Sequence, residues 1–258
     1  MIIENKDELA TLRESGKRLA LVLQELKKMV KPGISTGLLD QHAEKRIREL
    51  GGDPVFKGYK AYGSQGAYPG SVCISINDEI VHGIPSEGRI IKEGDIVGLD
   101  IGMRYPSKIG LITDTALTVS AGKISKQAEV LMKATRESLM KGIAAAKAGN
   151  TIGDIGYAIQ AHLEGYSLGI IRELVGHGVG HKLHEDPYVP NYGKKGSGEK
   201  LREGMVLALE PMATLGSPAI KLAKDGWTYQ TKDGSLSAHF EHTIIIGKGP
   251  AEVVTLPT

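Results

Sequence analysis

Apolar side chains recur every three or four positions in two stretches of the first fifty residues. The first predicts an amphipathic helix that ends at Pro32-Gly33, with Asn5 and Glu8 spaced as an N-cap and its partner; its periodic positions are Leu9, Leu12, Gly16, Leu19, Leu23, Leu26 and Val30. The second predicts a helix over about 36–50, capped by Ser35 or Thr36 and stopped by Gly51-Gly52. Two helices are therefore expected before any strand.

Shorter apolar runs after these helices predict β-strands. The region 53–70 is rich in Gly, Tyr and Pro and indicates a loop. Strands are expected near 72–76, 80–82, 95–100 and 110–120. Two further helices, at about 125–147 and 152–168, and then strands near 173–183, 203–212, 227–231 and 238–247 complete the pattern.

The order of two helices followed by strands occurs twice, which indicates an internal duplication. The segment 92–100 is echoed by 202–210, and both end in a carboxylate with a tiny residue, Gly98 or Ala208, two positions earlier on the same face. We expect one α+β domain over 1–258, with pseudo-symmetric halves of about 1–120 and 121–258, a central antiparallel sheet and helices on its outer face. A tandem repeat array is the alternative, but two copies are too few for a solenoid.

Composition narrows the class of protein. The 258 residues are 41% hydrophobic and 24% charged, which is ordinary for a globular protein. The net charge of +2 gives no indication of a nucleic-acid-binding surface. No apolar run approaches the roughly 20 residues of a membrane span. The charged N-terminal residues lack a signal-peptide core, and the single cysteine, Cys73, suits a reducing compartment. We expect a cytoplasmic protein without a nucleic-acid or membrane partner.

Acidic residues lie inside four apolar or β-branched segments, at Asp100, Asp114, Glu210 and Glu241. An unpaired buried carboxylate costs several kcal/mol or becomes protonated. If the duplicated strands face each other, these acids meet in one interior, where two divalent cations would neutralise them. A single acid at a strand end is usually a solvated turn residue; the duplication favours the metal site.

Histidines in the segment 176–186 offer an imidazole ligand. A zinc helix with His177 and His181 on one face is rejected, because three glycines among residues 176–180 disfavour a helix and no HExxH motif is present. His177 is the better ligand candidate and His181 the weaker. Carboxylates with one imidazole favour Mn, Fe or Co, with Zn also compatible, over a closed structural zinc site.

Five ordered motifs resemble the type I methionine aminopeptidases, which have the pita-bread fold: Gly98-Leu99-Asp100, Thr113-Asp114-Thr115, Gly176-His177-Gly178-Val179-Gly180, Leu209-Glu210-Pro211-Met212 and Phe240-Glu241-His242-Thr243. The resemblance runs from about residue 3 to the end of the chain and includes His82-Gly83-Ile84-Pro85. Each motif alone is weak, whereas the ordered set is specific. It implies a metal-dependent hydrolase that removes initiator methionine from nascent proteins and peptides with a small second residue.

The resemblance also implies roles for individual residues. Asp114 and Glu241 would bridge two metal ions, Asp100 would complete one site, and His177 with Glu210 the other. A water between the ions would be the nucleophile and Glu210 its proton shuttle. His184 would polarise the scissile carbonyl, and His82 would contact the scissile amide nitrogen or the terminal amine.

Four positions, Tyr68, Cys73, Leu183 and Trp227, match those that wall a methionine-sized slot in that family. Two features depart from the family pattern. The wall near Tyr62 and Gln65 differs, and the hairpin segment 103–108 is about three residues longer than usual. Hairpin tips absorb insertions at little free-energy cost, so we expect Asp114 still to reach the metals.

Two alternative functions are retained. The chain is also compatible with Xaa-Pro peptide hydrolysis, or with a non-catalytic peptide-binding module that has lost its ions. We expect a monomer, and the basic loop at 194–202 is a candidate for transient contact with the ribosome, although it is most simply a solvated hairpin. Our default for His181, His239 and His242 is a satisfied polar or supporting role, and for His162 a structural one.

Overall fold

Four helices and fifteen strands make up the computed structural model, in which residues 1–60 and 66–256 are described. The helices are α1 (Lys6–Met29), α2 (Thr36–Glu49), α3 (Lys126–Ala145) and α4 (Ile152–Glu164). All four predicted helices are confirmed, although the last two end earlier than expected. No helix in the described part of the chain has the length and apolar character needed to cross a membrane.

Side-chain caps start the first two helices. The Asn5 side chain accepts hydrogen bonds from the backbone N–H groups of Asp7 and Glu8, as its spacing predicts. The Glu8 carboxylate accepts from the Glu4 N–H at 2.7 Å rather than from the Asn5 N–H. Ser35, not Thr36, caps α2 by accepting from the Leu38 N–H. Each cap satisfies donors that the first helical turn leaves unpaired.

The strands are β1 (Asp53–Pro54), β2 (Cys73–Ile76), β3 (Glu79–Val81), β4 (Ile96–Tyr105), β5 (Leu111–Ser120), β6 (Gly169–Ile170), β7 (Gly176–Gly178), β8 (Glu185–Val189), β9 (Val206–Leu209), β10 (Met212–Thr214), β11 (Ile220–Leu222), β12 (Tyr229–Thr231), β13 (Ser237–His239), β14 (Glu241–Ile245) and β15 (Glu252–Val253). The main sheet has the order β1-β4-β5-β14-β9-β7-β8, with β2 beside β4 and β15 beside β14. Every pair in it is antiparallel.

Helices cover one face of the main sheet. Leu19 and Leu23 of α1 share a buried cluster with Leu99 of β4, and α1 contacts both β4 and β5. On the other half, Ile155 of α4 shares a cluster with Ile244 of β14. Burial of these apolar faces, at about 25 cal/mol per Å², holds the helices on the sheet. The prediction of an α+β fold with a central antiparallel sheet and outer helices is confirmed.

Three predicted strands are shorter than expected. The strand near 173–183 is reduced to β7, because Gly180 takes a φ of 144°, which few other residues adopt. The strand near 203–212 breaks between β9 and β10 at Glu210-Pro211, where proline supplies no N–H to a ladder. The strand near 238–247 breaks at Phe240. The last two breaks adjoin predicted site residues, Glu210 and Glu241.

Candidate metal centre and active site

The register of the main sheet places predicted ligands on one face, opposite the helices. Asp100 of β4 and Glu241 of β14 both lie directly across from Ala116 of β5, and directly paired residues share a face. Asp114, two residues before Ala116 on β5, points to the same side. These three acids therefore project together from neighbouring central strands.

The second half supplies its donors through β7 and β9. His177 lies across from Ala208, and Ala208 lies across from Thr243, two residues after Glu241. Glu210 follows Ala208 by two positions, just past the end of β9. The small side chain of Ala208 leaves room for these ligands on the same face of the sheet, as the sequence repeat predicts.

Distances identify the centre of the cluster. Ligand atoms of Asp114, His177 and Glu241 all lie within 4.8 Å of one another. Asp100 and Glu210 lie outside this tight group of three but line the same cavity. The structure thus brings all five predicted metal-binding residues together, including Asp114, despite the longer hairpin between the two aspartates.

The carboxylates of this cluster are poorly compensated by protein groups. Burial raises the pKa of Asp100 to about 7 and that of Glu210 to about 8. Burial, reinforced by the neighbouring acids, raises the pKa of Asp114 and of Glu241 well above the usual range. Asp100 Oδ1 and Glu241 Oε1 are buried, and neither has a hydrogen-bond partner among residues 1–60 and 66–256. Since buried charges need pairing or a metal, the donor set fits divalent cations.

His177 presents the correct nitrogen for a metal. Its Nδ1 donates to the Gly178 carbonyl oxygen at 3.0 Å, which leaves the Nε2 lone pair free, and Nε2 lies 3.5 Å from Glu210 Oε1. Burial lowers the pKa of His177 to about 3, so the ring is neutral. A Cβ at Gly178 would lie 2.3 Å from the Asp186 carbonyl oxygen, which explains the glycine beside the ligand. His181 is exposed and does not belong to the group of ligand atoms around His177.

His184 and His82 line the cavity that contains the cluster. The His184 ring packs edge-on against His177, with centroids 4.5 Å apart, and its Nδ1 lies 2.7 Å from the Tyr59 hydroxyl. His82 follows β3 with a φ of 60°, and Thr228 donates to its carbonyl oxygen. Burial lowers the pKa of His82 to about 4, and that of His184 is lowered for the same reason. Both rings are therefore neutral at physiological pH.

Apolar walls enclose the remainder of this cavity of about 440 Å³. All four predicted wall residues line it: Tyr68, Cys73, Leu183 and Trp227. Tyr68 and Trp227 meet edge to face with ring centroids 5.2 Å apart. Burial raises the pKa of the Cys73 thiol well above its ordinary value, which agrees with a wall residue rather than a nucleophile. Tyr62 and Gln65 lie outside the described residues.

Sequence reasoning missed several cavity residues. Phe56, Tyr59, Leu174 and Tyr188 also line the space, and nothing in the local sequence distinguishes them from ordinary loop and edge-strand residues. Of the two roles expected for His239, the geometry favours the supporting one: among residues 1–60 and 66–256 its buried Nε2 has no hydrogen-bond partner, and it lies 3.5 Å from Glu210 Oε2.

The chain belongs to metallopeptidase family M24, whose model matches residues 10–248. It is 45% identical over 255 residues to a methionine aminopeptidase of Bacillus subtilis and 44% identical over 256 residues to one of Clostridium acetobutylicum, with 99% of each chain covered. Within the family it therefore groups with the methionine aminopeptidases, and the resemblance drawn from the motifs is confirmed.

Solved structures agree with this placement. A methionine aminopeptidase from Thermotoga maritima superposes with a TM-score of 0.93 at 41% identity, covering 99% of this chain and 100% of that chain. A prolidase from Pyrococcus furiosus shares the fold with a TM-score of 0.77 at 19% identity, and the match spans 66% of its length. The pita-bread fold and the class of metal-dependent hydrolase are confirmed.

Proposed function

We propose that this chain removes N-terminal methionine from peptides and nascent proteins with a small second residue, using two divalent metal ions in a cytoplasmic setting. The supporting observation is the convergence of four carboxylates and one imidazole in a cavity whose other wall is apolar. The names of the relatives, at 44% and 45% identity, support the same activity.

The metal ligands would be Asp100, Asp114, His177, Glu210 and Glu241. Asp114 and Glu241 lie on the two adjacent central strands, which suits a bridging role, while Asp100 on β4 and His177 on β7 lie on strands to either side of that pair. Mn, Fe or Co suits this set of oxygen donors with one nitrogen, and Zn is also compatible. Divalent cations supply compensation for the clustered charge and bring the pKa of a coordinated water toward neutrality.

Glu210 is the proposed proton shuttle. Its carboxylate lies in the cavity together with the other proposed metal ligands, within reach of a water held between the metals. Hydrolysis needs a group that takes a proton from water and returns it to the leaving amine. Glu210 is suited to both steps because it lies beside the other ligands, just past the end of its strand.

His184 and His82 are the proposed substrate contacts. Each is neutral, so each offers one N–H donor and one lone pair. A donor from His184 would stabilise negative charge on the scissile carbonyl oxygen, and His82 would contact the scissile nitrogen or the terminal amine. The two rings line the same cavity as the metal ligands, which supports contact with one bound peptide.

The apolar wall would bind the methionine side chain. Cys73 lies directly across from Asp100 in the β2–β4 pair, so the slot begins beside a metal ligand. Sulfur contacts with the edges of Tyr68 and Trp227 would contribute about 0.3–1.5 kcal/mol each. Together with Leu183, these residues would favour a long, unbranched, polarisable side chain.

The remaining proposals concern organisation. We infer one catalytic domain over 1–258 with pseudo-symmetric halves of about 1–120 and 121–258; each half contributes a helix pair, and the halves meet at the β5–β14 pair. We also infer a monomer. The basic loop at 194–202 is our candidate for transient ribosome contact. The exposure of Lys194, Lys195 and Lys200 supports it.

A metal titration of the stripped protein tests the activity. We expect no methionine release from Met-Ala-Ser after chelation, recovery with Mn²⁺, Fe²⁺ or Co²⁺ that saturates at two ions per chain, and poor cleavage of Met-Leu-Ser. The variant His177→Ala should bind less metal and stay inactive. Cleavage of an Ala-Pro peptide instead would establish Xaa-Pro hydrolysis, and peptide binding without turnover at any metal concentration would leave only the binding module.

A further inference from the structure

The His184 ring is held on two sides. On one side, Tyr59 places its hydroxyl 2.7 Å from Nδ1, and its ring meets the imidazole edge to face at 5.2 Å and 70°. On the other side, the ring packs against His177 at 4.5 Å and 79°. Tyr59 and His184 are 125 residues apart in the sequence.

The direction of this hydrogen bond decides which ring nitrogen of His184 carries the proton. Within residues 1–60 and 66–256, no other protein group is hydrogen-bonded to the Tyr59 hydroxyl, which can either donate to Nδ1 or accept from an Nδ1–H. A neutral imidazole carries a single N–H, and if Nδ1 accepts, that proton is on Nε2. Nε2 lies across the ring from Tyr59, so it is the nitrogen left for a ligand in the cavity.

We propose that Tyr59 is a positioning residue that acts through His184, holding the imidazole in the Nε2–H tautomer so that it donates to the scissile carbonyl oxygen. The opposite tautomer would present a lone pair to that oxygen and repel the charge that develops on it. This inference rests on the proposed function, because it assigns a purpose to the His184 donor.

Tyr59→Phe is the first test, because it removes the hydroxyl and keeps the ring in the cavity wall. We expect kcat for Met-Ala-Ser to fall about tenfold, with KM within about twofold and Mn²⁺ affinity by calorimetry unchanged. Tyr157→Phe is the matched control, because Tyr157 lies on α4 with its ring under Lys195. Removal of its hydroxyl should leave kcat, KM and Mn²⁺ affinity unchanged. Unchanged kcat in Tyr59→Phe would overturn the proposal.

A double-mutant cycle separates positioning from a general packing role. In a His184→Ala background, Tyr59→Phe should cause no further loss, whereas an equal tenfold loss there would show that the hydroxyl acts independently of His184. Nitrogen-15 NMR of the protein should show His184 protonated on Nε2, shifting toward a mixture of tautomers in Tyr59→Phe. A proton on Nδ1 in the unmodified protein would contradict the proposal.

These measurements distinguish failure of the proposed function from failure of the role proposed for Tyr59. If the unmodified, metal-loaded protein releases no methionine, the proposed function fails, but the NMR tautomer still tests the link between Tyr59 and His184. If methionine is released and the tautomer is wrong, only the role of Tyr59 is lost.

Discussion

Glu210 lies between two imidazoles, His177 and His239, and each Nε2 is 3.5 Å from a different oxygen of its carboxylate. His177 belongs to β7 and His239 to β13, so two separate sheets hold one acid. His239 is 3% exposed, and burial lowers its pKa, so the ring is neutral. Mutation of a group that orients a metal ligand typically lowers metal affinity or activity by about 10–100-fold.

His239→Leu should therefore weaken Mn²⁺ binding about tenfold, measured by calorimetry, because Glu210 loses one of its two flanking groups. His239→Gln should recover part of this loss, since an amide N–H reaches a similar position. His162→Leu is the control: His162 also lies near a glutamate, 3.3 Å from Glu137, but on α4. Equal affinity in all variants would show that His239 does not orient Glu210.

Glu210→Ala should lose at least about a hundredfold in kcat while the fold survives. The variant also lacks the free-energy cost of burying this carboxylate without a metal. The Tm of the metal-free variant should therefore equal or exceed that of the unmodified protein. Glu203→Ala alters an exposed glutamate that precedes β9, the strand before Glu210, and pairs with Lys248, and it should keep full turnover. Full activity in Glu210→Ala would remove this residue from the mechanism.

The metal-free protein should lose stability as pH rises from 7.5 to 8.5. In this window the unfolded carboxyls have lost their protons, whereas the folded ones keep theirs until the pKa values of about 7 for Asp100 and about 8 for Glu210. The folded state then binds more protons than the unfolded state, so the free energy of unfolding falls with pH.

The buried histidines act in a different window. Their folded pKa values, about 4 for His82 and about 3 for His177, lie below the ordinary value of 6.5, so their contribution stops changing about one pH unit above that value. Tm measured at pH 7.5 and pH 8.5 on stripped protein therefore reports mainly on the carboxyls. The fall should shrink with saturating Mn²⁺ and in the double variant Asp100→Asn, Glu210→Gln. A rise in Tm of the stripped protein would contradict the prediction.

Leu183→Ala should raise KM for Met-Ala-Ser about tenfold, because the methionine side chain loses apolar contact in the slot. Leu139→Ala controls for stability: both leucines are buried, at 6% and 1% exposed, and each truncation should cost about 2–5 kcal/mol. Only the Leu183 variant should change KM. An equal KM in the two variants would place the methionine side chain elsewhere.

Gly83→Ala should destabilise the turn that carries His82. A Cβ at Gly83 would lie 2.2 Å from the Ile74 carbonyl oxygen, whereas a Cβ at Gly88 would find its nearest neighbour 3.9 Å away. We expect a Tm drop of several degrees for Gly83→Ala and little change for Gly88→Ala, measured by thermal denaturation. Equal Tm values would show that the turn relaxes freely.

Local sequence patterns predict a large part of this molecule because they record local forces. The spacing of Leu19, Leu23 and Leu26 predicts α1, and their burial against the sheet confirms the period. The four acidic ligands are predictable for a related reason: a carboxylate inside an apolar strand is unfavourable without a partner, so its presence there indicates a site.

The remainder depends on contacts that no local pattern encodes. Tyr59 touches His184 only because two loops distant in sequence converge at the cavity. The break after β9 depends on Pro211, yet its consequence, a Glu210 carboxylate between two histidines, depends on the docking of β13. The order of strands in the main sheet could not be predicted from local sequence either, because strand pairing depends on contacts across the whole sheet.

The strand order has a consequence for biosynthesis. Strand β14 follows every other strand of the main sheet except β15 in the sequence, yet it lies in the middle, between β5 and β9. A polypeptide growing from its N-terminus therefore contains the strands of both flanks before the strand that joins them is synthesised. Glu241 is added last among the five proposed metal ligands, so an unfinished chain carries an incomplete set.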